Sequence, residues 1–549
     1  MQFMPAKLSS HIATAIVICS MATSPFSAAG NNDMLSNASI ERAGLVSDWF
    51  TQLEVGARSQ IVNLVLQIND DITKRIYLIE YDGRVERISQ HDLDAFGKPY
   101  GIEGAEKQAI LRKEIIMLEL AAQRKKPDVN IRAVSLPKST IYAADFGGNV
   151  RAIDADSGKH LWSTKVGRRK DLTAGVGASR NHVAIVNGST VFLLNAKDGK
   201  VLWAKKCENS PNAPPSVSHN NVYVPLVNGR LEVFAMEDEG KFSRSYVSYG
   251  AAKAQPLVTN STVSWATTSG HYSVAAHEGK KIQYQLVASS GFSAGGAADK
   301  DSVYVATTNG RVYAFDESRG SIHWEYETGD RILETPVVVG RSLYIFAAEG
   351  RLHRIDTFTG RPADGWETPI SGVRKFVGVS RDRIYVLNEN DELTAIDKNT
   401  GTTLARVPGR LSKVLPNFQS DRLYVGSNTG LLQCIREAGN NYPVFHANET
   451  DIVAMDSKQA PMPEKSQAID DDDDPFEEDS DPFAAESDAD PFASEDDVSD
   501  DDDPFAPDDG DSEAEDDPFA DDGDEDADDN SGDPFGDDSD SDDSDPFGG

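Results

Sequence analysis

The stretch SVYVATTNGRVYAFDESRGSIHW (302–324) has echoes along the chain that hold a fixed register. Close copies are TIYAADFGGNVRAIDADSGKHLW (140–162), SLYIFAAEGRLHRIDTFTG (342–360), RIYVLNENDELTAIDKNTG (383–401) and RLYVGSNTGLLQCI (422–435); weaker ones start at residues 182, 221 and 262. Aligned on the second residue of the first strand, Tyr142, Val183, Tyr223, Ser264, Tyr304, Tyr344, Tyr385 and Tyr424 follow at steps of 39 to 41 residues. A period this regular restricts the chain to architectures in which each unit buries its apolar face on the next.

Apolar residues within each copy alternate by two, which fits strands and not the three-and-four spacing of helical repeats. Each copy reads as a strand, a tight turn at Asn-Gly or its equivalent, and a second strand. An Asp or Asn then precedes a Gly by four residues, at Asp154/Gly158, Asn195/Gly199, Asp316/Gly320, Asp356/Gly360 and Asp397/Gly401. Recurrence once per unit assigns these side chains to Asx-turns and the glycines to left-handed backbone, not to metal ligation. The expected fold is all-β, a β-propeller of about eight blades, with nine possible.

An earlier unit, RIYLIEYDGRVERIS (75–89), has the same shape, but 65 residues separate Tyr77 from Tyr142. The excess is a helix-like insertion at about 104–126, in which Leu111, Ile115, Leu118 and Ala122 line one face. That face is expected to pack on the propeller wall; a partner-binding helix is the other reading. The segment from about Gly44 is expected to complete the last blade. Cys207 and Cys434 fall on non-adjacent blades, beyond disulfide reach, and are expected to be buried thiols.

Charge is distributed very unevenly. Residues 470–549 hold 40 acids and no Lys or Arg, leaving 50 acids against 53 bases in residues 1–469, a net of about +3 beside a whole-chain charge of −37. A nearly neutral body with a polyanionic tail gives no electrostatic case for nucleic acid. Lys7, the apolar run Ile12–Met21 and the small residues up to Ala29 and Gly30 read as an export signal, with Cys19 poorly placed for lipidation after Ile18. The expected division is a signal peptide (1–30), a propeller (44–447), a linker (448–469) and a disordered acidic tail (470–549). The export signal places the expected protein in the periplasm or cell envelope, and no later segment is apolar enough to cross a membrane.

The runs AIDADSGKHLW, LLNAKDGKVLW and AFDESRGSIHW resemble the quinoprotein (PQQ)-like propeller repeat over roughly residues 45–440. In that family an aromatic residue closing each blade packs on the next; Trp162, Trp203 and Trp324 hold the place here, while Arg244, Gln283 and Ala405 take it elsewhere. One branch oxidises alcohols or sugars with pyrroloquinoline quinone and calcium. This chain has no adjacent cysteine pair, no carboxylate-amide cluster apart from the turns, and no room for the long loops of those enzymes. The other branch is non-catalytic: envelope propellers typified by the B component of the outer-membrane β-barrel assembly machinery (BamB-like). That resemblance implies a scaffold for protein–protein interactions, possessing no cofactor and no catalytic or metal-binding residue. A PQQ-dependent dehydrogenase-like enzyme and a cation-binding surface protein are the alternatives.

Two groups of residues are candidates for partner binding. Arg168, Arg169 and Lys170 sit in the loop GRRKD (167–171), and propeller loops commonly carry function. The tail repeats Asp-Pro-Phe seven times, at Phe476, Phe483, Phe492, Phe505, Phe519, Phe535 and Phe547. Their irregular spacing and the surrounding charge oppose folding. The tail is a solubilising brush, a loose cation binder, or an array of weak stickers whose contacts add through effective concentration. DADDNSGD (526–533) approaches a calcium loop, but Ser531 occupies the glycine place.

Overall fold

The computed structural model describes residues 34–446 apart from 56–58, 127, 238 and 240. The signal segment, the linker and the acidic tail with its seven Phe residues lie outside the described residues.

The strands fall into eight antiparallel sheets, and the all-β propeller expected from the repeat is the fold. Numbered from the first complete sheet, blades 2 to 5 have four strands each, at 173–206, 216–247, 257–287 and 297–327. Blade 6 (337–356) has three strands, and blade 7 (373–407) has four. Blade 8 takes three strands between 413 and 437, and its outermost strand is Leu45–Gln52 from the other end of the described chain. The innermost strand of blade 1, within Ile61–Tyr81, touches those of blades 2 and 8, so the ring closes. The middle strands are almost continuously buried and contribute the Tyr markers, with Tyr223, Tyr304, Tyr344, Tyr385 and Tyr424 at most 1% exposed. Both faces of such strands lie against neighbouring blades, which is why the alternation is strongest on the outer strands, such as His160–Lys165.

Unit 75–89 does not form a blade. Strands Ile61–Tyr81 and Val129–Asp145 each overshoot blade 1 and pair with one another throughout, with an irregularity between Asn69 and Thr73. Beyond it, Arg84–Ser89 adds a third strand, making an arm that leaves the ring between the two inner strands of blade 1. The hairpin turn at Asp82 and Gly83 gave this unit a repeat-like pattern, but its apolar residues serve the arm. Buried Lys74 anchors the arm's base, lying 2.6 Å from Asp156 and 3.4 Å from Asp154 in the turn of blade 1.

After the six-residue helix α1 (Asn37–Arg42), the other helix among the described residues is α2 (Gly101–Ala122), which packs on the arm and not on the propeller wall. The buried face is also not the expected one. Ala105, Ala109, Ile116 and Leu120 are buried against Tyr77, Ile79 and Val129, while Leu111, Ile115 and Leu118 are 50%, 46% and 72% exposed. Arg112 fixes this rotation with two bonds to Glu86, at 2.7 and 2.9 Å. On the opposite side of the arm sheet, Phe445 and Tyr442 pack with Ile76, Leu78, Val134 and Leu136.

Candidate functional site: the loop face of the propeller

Each blade is stapled to the next at its outer edge. The Trp162 indole donates to the Ala196 carbonyl at 2.9 Å and Trp324 to Thr357 at 2.8 Å; each acceptor lies in the next blade's outer turn. Trp49, Tyr284 and Trp366 do the same toward Ala155, Glu317 and Lys398. Arg244 and Tyr246 reach His277 and Gly279, Trp203 packs on Phe234, and Ala405 is partly buried against the core between blades 7 and 8. The girdle is therefore fuller than the Gly-to-Trp spacing indicated. Tyr284, not Gln283, serves blade 4, and Trp366 stands six residues after Gly360.

The turn glycines lie under these rings. A Cβ at Gly158, Gly199, Gly320 or Gly360 would come within 2.6 Å of Trp49, Trp162, Tyr284 or Trp324, respectively, and Gly401 faces Ile370. The preceding Asp accepts from two following amides, as Asp356 does from Phe358 at 3.1 Å and Thr359 at 2.9 Å. These residues hold the ring together and leave its two ends free for other work.

At one end, the turn between the two middle strands of a blade is bonded to the loop entering that blade. The bonds are Gly188 N to Leu172 O, Val227 N to Ser210 O, Thr268 N to Ala251 O, Thr308 N to Gly291 O and Ala348 N to Arg331 O. This repeated tether turns separate loops into one continuous face. The basic loop belongs to it, between blades 1 and 2. Asn187, 2% exposed, accepts from the Arg168 amide at 2.8 Å and donates to the Asp171 carbonyl at 3.0 Å and to Thr173 Oγ1 at 3.1 Å. Gly167 (φ +62°) lies so close to Asn187 that no side chain fits. The loop is thus a fixed platform on which Arg168, Arg169 and Lys170 are exposed.

Two apolar groups border those bases. Leu172 is 75% exposed, and Phe146 stands beside it on a small crevice of about 110 Å3 that Arg169 and Lys170 also line. Val227, Tyr249 and Leu333 are exposed on the same tethered turns and loops. Further round, Asp330 pairs with Arg351, and His353 accepts or donates a bond with Tyr326 at 3.1 Å. Burial, aided by the Arg351 charge, pushes the His353 imidazole down to about 4. Fixed cations beside exposed apolar side chains fit a protein surface with carboxylates and apolar groups better than a small substrate.

The opposite end holds an axial cavity of about 680 Å3, lined among others by Gln67, His182, Ser216, His219, Gln255 and Phe418. A quinone with its calcium ion does not fit it: the lining contains no Asp or Glu to ligate calcium or act as a base. Among the described residues, no group of three or more His, Cys, Asp or Glu is placed to hold a metal. Cys207 and Cys434 are buried free thiols in separate clusters, and burial raises Cys207 to about 12, far from a reactive thiolate.

Sequence reasoning found the basic loop but missed Asn187 and the apolar residues around it. A lone buried Asn opposite Gly167 has no sequence signature, whereas a Leu two residues after three consecutive bases could have been noticed.

Residues 147–407 match the family model described as outer membrane protein assembly factor BamB. The BamB of Salmonella typhimurium is 32% identical over 144 residues, covering 24% of this chain and 36% of the relative. The BamB of Escherichia coli is 31% identical, with the same coverage. The chain thus spans about a third of the length of the curated relatives it matches. The crystal structure of BamB from Moraxella catarrhalis aligns with 17% identity and a TM-score of 0.45, covering 55% of this chain and 93% of that one. Over residues 147–407 the repeats of the propeller are thus similar to the PQQ-like repeats of that family model.

Proposed function

We propose that the chain is an exported, non-enzymatic scaffold of the cell envelope that holds other envelope proteins on its loop face, in the service of outer-membrane protein assembly. The observation that carries this reading is the platform of Arg168, Arg169 and Lys170, fixed by Asn187 and bordered by Leu172 and Phe146. The similarity of residues 147–407 to an assembly factor supports the process. Among the described residues, no helix is long and apolar enough to cross a membrane. The acidic tail, with Phe476 through Phe547, adds a second, multivalent contact in this reading.

Reversing the three charges (Arg168→Glu, Arg169→Glu, Lys170→Glu) tests the platform. The folded variant loses its envelope cross-links while its melting temperature stays unchanged. Equal cross-linking by the variant refutes the platform. Titration with pyrroloquinoline quinone and calcium tests the rival: saturable cofactor spectra with dye reduction would overturn the scaffold reading. For the tail, a chain with all seven Phe changed to Ser loses partners that a brush would keep.

A further inference from the structure

Helix α2 is apolar on two sides, and the arm uses one of them. Ala105, Ala109, Ile116 and Leu120 are consumed by packing on the arm sheet. At 100° per residue, Leu111, Ile115, Leu118 and Ala122 fall within an arc of about 60° on the solvent side. Leu111, Ile115 and Leu118 are 50%, 46% and 72% exposed. A folded monomer gains nothing from an apolar stripe on the outer side of an already seated helix, and stripes of this kind mark interaction sites.

The charges beside the stripe indicate what covers it. Its two flanks differ. On one, Arg112 is engaged by Glu86 at 2.7 Å and Glu119 at 3.5 Å. On the other, exposed Lys107 and Glu114 stand seven residues apart and join no ion pair among the described residues. Seven residues bring the helix back to within about 20°, so these opposite charges share one flank, about 10.5 Å apart along the axis. A second α2 laid antiparallel about a two-fold axis near residues 110 and 111 sets Lys107 of each copy against Glu114 of the other. The same register brings the two Leu111 side chains together. It also puts Gly104, on the stripe and without a side chain, opposite the interval between Ile115 and Leu118 of the other copy. The stripe is therefore complementary to itself in charge and in shape.

We propose that α2 is the contact surface of a homodimer, isologous and antiparallel, between two copies of this chain. One helix pair makes a small interface, at the low end for specific association, so the dimer forms and separates with concentration.

Sedimentation velocity of the full-length protein, from about 1 to 200 µM at an ionic strength that screens the tails, tests this. A monomer–dimer equilibrium is expected, and Leu111→Glu abolishes it without changing the circular dichroism or melting of the monomer. Lys107→Glu alone and Glu114→Lys alone each weaken dimerisation about three- to tenfold, and the double exchange restores it. A monomer throughout the range overturns the proposal. So does a dimer indifferent to Leu111→Glu, or a double exchange that fails to rescue; the stripe would then serve another protein or a lipid surface.

Discussion

At the scale of single residues, the blade-to-blade contact depends on a side chain that is absent. Gly360 has φ +68°, and a Cβ there would lie 2.5 Å from the Trp324 ring. Gly360→Ala therefore meets both backbone strain and a clash, and urea unfolding should show a loss of about 1–3 kcal/mol. His353 makes a different prediction. Its folded value of about 4 lies below its ordinary 6.5, so the unfolded chain binds the extra proton first as pH falls. The stabilisation is complete above about pH 6.5 and is lost as pH drops toward 4, amounting to at most about 3 kcal/mol. His353→Gln should flatten stability across that window; an unchanged acid limb would show that another group carries it. Residues of this kind were only half legible beforehand. The Asp-to-Gly spacing marked the turns, but the ring above Gly199, Gly320 or Gly360 comes from another blade, about forty residues earlier, and the ring above Gly158 is that of Trp49. Where the stapling residue broke the spacing, as at Tyr284 and Trp366, sequence reading lost it. Trp49 had no Asp-x-x-x-Gly before it because its blade is assembled from both ends of the described chain.

At the scale of elements, α2 shows why a helix can be found in a sequence while its orientation is not. The apolar residues of 101–122 fall on two sides, and either could have faced the protein. Arg112 decided it by meeting Glu86 on the arm's edge strand, a partner 26 residues away. The two faces should respond differently at low protein concentration. Ile116→Ala is expected to cost about 2–4 kcal/mol, and Leu111→Ala to stay within about 0.5 kcal/mol. Thermal unfolding of dilute protein reads both; equal losses would mean that the helix sits in another rotation. The arm itself was misread for a related reason. A hairpin with alternating apolar residues looks the same in a blade and outside one, and only the continuation of one strand pair from Ile61 to Tyr81, past the irregularity at Asn69–Thr73, distinguishes them.

At the scale of the molecule, ring closure and function both depend on what the repeat leaves over. The ring is closed by Leu45–Gln52, with Trp49 donating to Ala155 of blade 1 at 3.1 Å. Trp49→Ala should cost about 3–5 kcal/mol and expose the closing blade to proteolysis before any other. The period itself specified the fold class because every unit repeats the same packing problem. The proposed function draws on what does not repeat: a basic platform in one loop and, in the sequence, an acidic tail. The central claim is that the loop face, and not the outer edge, holds partners in the envelope. The direct measurement is site-specific photo-cross-linking in intact envelopes, with the probe placed at Arg169 or, as control, at Leu404 on the outer strand of blade 7. The account predicts a discrete adduct with an outer-membrane assembly component from position 169 and none from 404. Adducts of equal yield from both positions, or none from 169, would contradict it.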